Sequence, residues 1–196
     1  EALNNRADQI AEDYAGSITL GVGQFCTNPG LILGIKSHGL DTFISALGQK
    51  IVESQPGTML HAGISKTYAA NKSVMINNEG VEIISESDEA GVASQGRPAV
   101  AKASGQAFID NPALHEEVFG PFSLVVECAD EAELSQAISK LNGQLTATLI
   151  ADEADLNGSI NVVNVLREKT GRLIFNGVPT GVEVCPSMQH GGPYPA

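Results

Sequence analysis

The sequence predicts an α/β domain of three layers, with a mainly parallel sheet covered by helices. Three observations carry that expectation. Strand, helix, strand, helix and strand patterns follow one another between Ser123 and Asn176, which is the order of parallel β-α-β units. The strand candidates are apolar runs rather than alternating ones, as a sheet covered on both faces requires. The chain has 196 residues and 42% hydrophobic content, enough for one compact domain with a sizeable core.

The elements can be justified in order. Ala7, Ile10, Ala11, Tyr14 and Ile18 recur at helical spacing, predicting an amphipathic helix from residue 6 to about residue 20. Gly21 and Gly23 end it. Leu31 to Lys36 is a short apolar run between turn residues, so a buried strand is expected. Asp41 is placed to cap a second helix carrying Phe43, Leu47 and Ile51, which stops at the sequence SQPG. Residues 58 to 76 read as helix again, and residues 77 to 96 as acidic surface turns around the short strand VEIIS. Residues 99 to 109 read as extended. Ser123 to Cys128 and Leu145 to Ala151 are strands, separated by a helix with Leu134, Ala137, Ile138 and Leu141 on one face. Residues 153 to 169 form a helix and Arg172 to Asn176 the last strand. The tail HGGPYPA is loop, and there is no repeat or low-complexity tract.

Composition excludes several classes. A formal net charge of −12 argues against nucleic-acid binding, which needs basic patches. No apolar run approaches the length of a membrane span. The opening residues EALNNRADQI lack a secretory pattern and read as interior helix. Cys26, Cys128 and Cys185 are widely spaced and form no C-x-x-C pair, so neither a zinc site nor a complete disulfide framework is expected. A reducing, cytoplasmic setting follows.

Three stretches carry chemistry. In GVGQFCTNPG, Cys26 falls outside any helix or strand pattern, in the connection between the two. Gly23 permits close backbone approach and Pro29 stiffens the loop. Free amides there would stabilise a thiolate or a developing oxyanion. A buried structural cysteine and a nucleophile both remain open on pattern alone. GVG also resembles the start of a dinucleotide fingerprint, but Cys26 replaces the third glycine and the motif follows a helix rather than a strand. A cysteine hydrolase would need a histidine, and spacing selects none of His38, His61, His115 and His190. The second stretch, HEEVFGPF, sets two carboxylates before an apolar pair and a Gly-Pro turn. It reads either as a ligand-facing loop or as a solvated turn anchored by Phe119, and ligands in open α/β sheets favour the carboxyl ends of strands. The third, Pro179 to Ala196, is a long Gly- and Pro-rich segment without periodicity, a kind of loop that is often functional.

Together these stretches resemble the aldehyde dehydrogenase superfamily. GQFCTNPG looks like its nucleophile motif, EEVFGP matches its E-E-x-F-G-P motif, and GRLIFN followed by HGGPYPA looks like its C-terminal catalytic loop. The wording is closest to the branch of 2,5-dioxovalerate (α-ketoglutaric semialdehyde) and NADP-dependent fatty aldehyde dehydrogenases. The resemblance covers the whole chain and implies a catalytic domain over residues 1–196. It implies that Cys26 attacks an aldehyde to give a thiohemiacetal, that hydride passes to NADP or NAD, and that water hydrolyses the resulting thioester. The Cys26 amide would supply half of the oxyanion hole. Glu117 would hold the nicotinamide ribose and Phe119 would pack beside the nicotinamide. Gln24, Phe25 and Thr27 would line the substrate tunnel. The family's general-base glutamate, cofactor domain and oligomerisation segment precede the nucleophile motif, so the isolated segment is expected to bind no cofactor and to turn over little or nothing. Its alternative roles are a folded assembly module or a weak cysteine esterase. The full-length enzyme is expected to be a homo-oligomer with an aldehyde substrate and no metal, nucleic-acid or membrane partner. A carboxylated aldehyde would need a cationic anchor, for which Arg97 and Arg172 are the candidates considered.

Overall fold

The computed structural model describes residues 1–89, 92–180 and 185–196. Part of the segment PTGVEV, residues 181–184, lies outside the described residues. The chain forms α1 (Ala2–Thr19), β1 (Leu31–Ile35), α2 (His38–Glu53), β2 (Gly57–Thr58), α3 (Ala62–Ile76), β3 (Val81–Glu86), β4 (Gln95–Gly96), β5 (Ala99–Ser104), α4 (Gly105–Asp110), β6 (Phe122–Cys128), α5 (Glu131–Lys140), β7 (Gln144–Leu149), α6 (Glu153–Gly158), α7 (Ile160–Lys169) and β8 (Thr170–Phe175).

The main sheet has the order β1-β6-β5-β3. β1 and β5 flank β6 in parallel, with Leu31 opposite Leu124 and Ala101 opposite Leu124, and β3 closes the edge antiparallel. Side-chain alternation along β5 and β6 separates two cores. Phe122, Leu124, Val126 and Cys128 join Ala99, Ala101 and Ala103 beneath α3, α4 and α5. Val100 and Val125 face the other way, onto Ile10, Tyr14, Ile18, Phe43, Leu47 and Ile51 of α1 and α2. The expected three-layer α/β arrangement is therefore present.

Several local expectations need correction. β6 and β7 are not partners: among the described residues β7 pairs with β8 alone, in a separate parallel ribbon. α2 begins earlier than Asp41, because the Ser37 hydroxyl accepts from the Leu40 amide at 3.2 Å and caps the helix. Residues 99–109 are not extended throughout; Ser104 caps α4 through the Ala107 amide. Residues 58–76 start with the short strand β2, and His61 caps α3 by accepting from the Gly63 and Ile64 amides. The 153–169 helix is broken after Gly158 into α6 and α7. Hydrophobic period locates helices well, but short polar caps within a helix-compatible run compete locally and set the ends.

Candidate functional site

The thiol loop begins with an unusual turn. Gly21, Val22 and Gly23 all take left-handed backbone conformations, with φ of 55°, 59° and 64°. Glycine adopts these freely, whereas a β-branched valine there costs about 1–3 kcal/mol. The Val22 side chain is held against the paired glycines of the small ladder, Gly57 and Gly96: a Cβ at either would meet a Val22 methyl, at 2.5 Å and 2.9 Å. The ladder thus fixes the turn that leads to Cys26.

Cys26 follows at an exposed position, and no described residue accepts a hydrogen bond from its backbone amide. Gln24 does not face the cleft. Its side chain donates to the Gly21 carbonyl and accepts from the Leu60 amide, both at 2.9 Å, stapling the loop to the 57–60 segment. Phe25 is half-exposed and lies over Gly21. Thr27 is buried, and it faces the cleft together with Cys26 and Asn28.

That cleft has a volume of about 730 Å³. Glu117 and Phe119, from the loop before β6, line it alongside Cys26 and Thr27, and it runs inward between the edges of β1 and β7. Glu117 is exposed and Phe119 half-buried. The two loops touch at Gly23, where a Cβ would overlap the Gly120–Pro121 peptide. Both precede parallel strands, β1 and β6. The site therefore sits at the amino ends of the strands, opposite to the general preference of open sheets. α1 presents its C-terminus here, so it offers no positive helix end to a thiolate. Local amides and side chains must do that work.

One such side chain was not selected by spacing. The His190 imidazole Nε2 lies 3.3 Å from Cys26 Sγ. The tail delivers it by seating its backbone on glycines: a Cβ at Gly171 would overlap the Gly191 carbonyl, and one at Gly143 the Pro193 carbonyl. The Gly143 amide also donates to the Tyr194 carbonyl at 3.3 Å. Glycines 143, 171, 191 and 192 were the available signal, but only folding shows which backbones they admit. The basic candidates lie elsewhere. Arg97 is engaged by Glu86 at 2.6 Å and the Ser87 carbonyl at 2.7 Å. Arg172 is on β8 and is not among the residues lining the cleft. Among the described residues no cluster suited to a metal ion occurs, and no helix is long and apolar enough to cross a membrane.

Comparison with known proteins finds relatives named as dehydrogenases. No protein-family model matches the chain. Alpha-ketoglutaric semialdehyde dehydrogenase of Acinetobacter baylyi is 45% identical over 197 residues, covering all of this chain and 38% of the relative. Alpha-ketoglutaric semialdehyde dehydrogenase 2 of Azospirillum brasilense is 44% identical, covering all of this chain and 37% of the relative. The chain thus spans a little over a third of the length of these relatives. Among solved structures, the delta-pyrroline-5-carboxylate dehydrogenase of Mycobacterium tuberculosis superposes with a TM-score of 0.78 at 18% identity, over 96% of this chain and 36% of that one. Aldehyde dehydrogenase 21 of Physcomitrella patens, solved with succinate, gives 0.71 at 18% identity over 94% of this chain and 38% of that one. The chain is related in sequence to alpha-ketoglutaric semialdehyde dehydrogenases, and its fold is shared with aldehyde dehydrogenases.

Proposed function

We propose that the chain is the catalytic domain of an NAD(P)-dependent aldehyde dehydrogenase, with Cys26 as nucleophile. The observation that supports this most directly is that Cys26, Glu117 and Phe119 line one cleft. The Cys26 thiolate attacks the aldehyde carbon; a C–S bond forms and the carbonyl pair moves to oxygen. The untaken Cys26 amide donates to that oxygen. A nicotinamide dinucleotide, when bound, supplies the hydride acceptor. Glu117 would hydrogen-bond its ribose hydroxyls and Phe119 would pack beside its ring. With that acceptor in place, transfer of hydride to it would leave a thioester on Cys26, and attack by water would break the C–S bond to release the acid. Thr27 faces the substrate in the cleft, while Gln24 and Phe25 shape the loop from outside it.

By the names of its relatives, the preferred substrate is 2,5-dioxovalerate, with fatty aldehydes as the alternative class. The full-length enzyme is proposed to be a cytoplasmic homo-oligomer. The chain spans a little over a third of the length of those relatives, and the 196 residues alone should give little or no NADP-dependent rate. The test is Cys26→Ala in the full-length protein, with a panel of aldehydes and both cofactors. Turnover should be abolished; a variant that retains substantial rate would refute the assignment.

A second activity is favoured by the Cys26–His190 contact of 3.3 Å. An imidazole beside a thiol accepts its proton, so the segment should hydrolyse activated esters slowly through an acyl-Cys26 intermediate. Nitrophenyl-ester hydrolysis that persisted in Cys26→Ala would exclude this. Without either activity, the segment would be a folded assembly module.

A further inference from the structure

We propose that Asn28, Gly120 and Tyr68 form a strut that sets the separation between the thiol loop and the cofactor loop, with Asn28 and Tyr68 as positioning residues. The proposal rests on the dehydrogenase reading above and names the parts that align its two loops.

The strut can be followed atom by atom. Asn28, two residues after Cys26, donates through Nδ2 to the Gly120 carbonyl at 3.1 Å. Gly120 follows Phe119 directly, so this bond ties the nucleophile loop to the loop carrying Glu117 and Phe119. The Gly120 backbone has φ of 151° and is enclosed on two sides. On one side is Gly23, whose missing Cβ makes room for the Gly120–Pro121 peptide. On the other is the Tyr68 ring, which would collide with any Cβ at Gly120. No other residue type fits between them.

Tyr68 is itself anchored. It is 2% exposed, and its hydroxyl donates between the Arg97 carbonyl at 2.6 Å and the Pro121 carbonyl at 3.2 Å. The Lys72 ammonium lies 5.1 Å over its ring and pairs with Glu86 at 2.5 Å; Arg97 pairs with the same carboxylate at 2.6 Å. A buried aromatic held by a paired charge cluster has little freedom to shift. The chain of contacts therefore runs from Asn28 and Gly23, through Gly120 and Pro121, to Tyr68 and the Arg97 backbone.

Asn28 has a second end. With Nδ2 committed to Gly120, Oδ1 is left as an acceptor; it is buried and has no partner among the described residues, and Asn28 lines the cleft. A buried acceptor left unpaired costs about 1–3 kcal/mol.

The consequence lies in the step that needs both loops. Attack by the thiol involves the Cys26 loop and His190 but not the Glu117 loop, whereas hydride loss would need the thiohemiacetal carbon aligned with the group that Glu117 and Phe119 would hold. Small misplacements of reacting groups cost up to about a hundredfold.

The test uses full-length protein with Tyr68→Phe, which removes one hydroxyl, and with Asn28→Ala. Two measurements are made: hydrogen exchange of peptides covering residues 24–30 and 116–122, and the ratio of single-turnover hydride transfer, with protiated and deuterated aldehyde, to cofactor-free nitrophenyl-ester hydrolysis. Exchange should rise in both loops together, and hydride transfer should fall about tenfold more than ester hydrolysis in Asn28→Ala, with an increased isotope effect. Tyr68→Phe should move both readouts in the same direction by less. Unchanged exchange, a rise in one loop only, or an equal loss of both activities would overturn the strut. Coupled exchange in a protein whose wild type has no dehydrogenase turnover would retain the strut and refute the dehydrogenase reading instead.

Discussion

Cys26 and His190 are separated by 164 positions in sequence and by 3.3 Å in space. The three cysteines occupy three distinct environments, which makes them a built-in comparison. Cys128 is fully buried, and its thiol is pushed up to about 12 by burial, with Glu133 and Asp130 adding to the effect. Cys185 is exposed and its thiol is held below the usual value by a hydrogen bond from Ser187. Among the described residues, Cys26 alone has an imidazole partner, His190. Timed iodoacetamide labelling at neutral pH, read by mass spectrometry, should modify Cys26 and Cys185 in the native state and Cys128 only after unfolding. His190→Ala should slow labelling of Cys26 by about threefold to tenfold and leave Cys185 unchanged. Equal rates at Cys26 with and without His190 would show the contact to be chemically idle. Cys26 stood out as a candidate because it falls outside the helical and strand patterns, but pattern alone left a structural cysteine open, and only the company of EEVFGP and HGGPYPA pointed to a nucleophile. His190 was not, because its placement depends on which backbone surfaces Gly143 and Gly171 leave open.

At the level of elements, legibility followed periodicity. β1, β6 and α5 matched their apolar patterns closely, since burial on a fixed face leaves few alternatives. Ends and pairings were harder. Asp41 looked like the cap of α2, yet Ser37 holds that position and Asp41 lies in the first turn. Ser37→Ala should therefore cost about 1 kcal/mol, and Asp41→Ala about 0.3–1 kcal/mol through the helix dipole alone, both read by thermal or urea melts. A larger loss at Asp41 would restore the original assignment. The separation of β7 from β6 had no sequence signal either, because an apolar run shows that a strand is buried but not which strand it pairs with. The small ladder supplies a further case. Gly57 and Gly96 make room for Val22 in its left-handed conformation, and nothing in a two-residue strand announces this. Gly57→Ala should drive a methyl into Val22, destabilise the fold by about 1–3 kcal/mol and lower turnover by displacing Cys26.

Across the whole molecule, the two cores and the site draw on the same buried groups. Tyr14 lies in the α1–α2 core, with its phenol pushed up to about 12 by burial. Tyr68, in the opposite core, is raised further, first by burial and then by the Glu86 charge. Cys128 is the third such group, raised from 9.0 to about 12. All three shifts have the same sign: each group holds its proton more tightly in the folded state. Their contribution is fully present below the unfolded values of 9.0 for the thiol and 10.0 for the phenols, and is lost as pH rises toward about 12. The unfolded chain ionises first and gains free energy that the native cores refuse. Melting temperature should accordingly be insensitive to these groups from pH 7 to 9 and fall steeply above pH 9. Tyr14→Phe removes one ionising group from the α1 core while keeping its edge-to-face contact with Phe43 at 6.1 Å. Its melting temperature should decline less between pH 9 and pH 11 than that of the wild type. If the two decline in parallel, the phenol is ionising in the native state and the α1–α2 core is open to water.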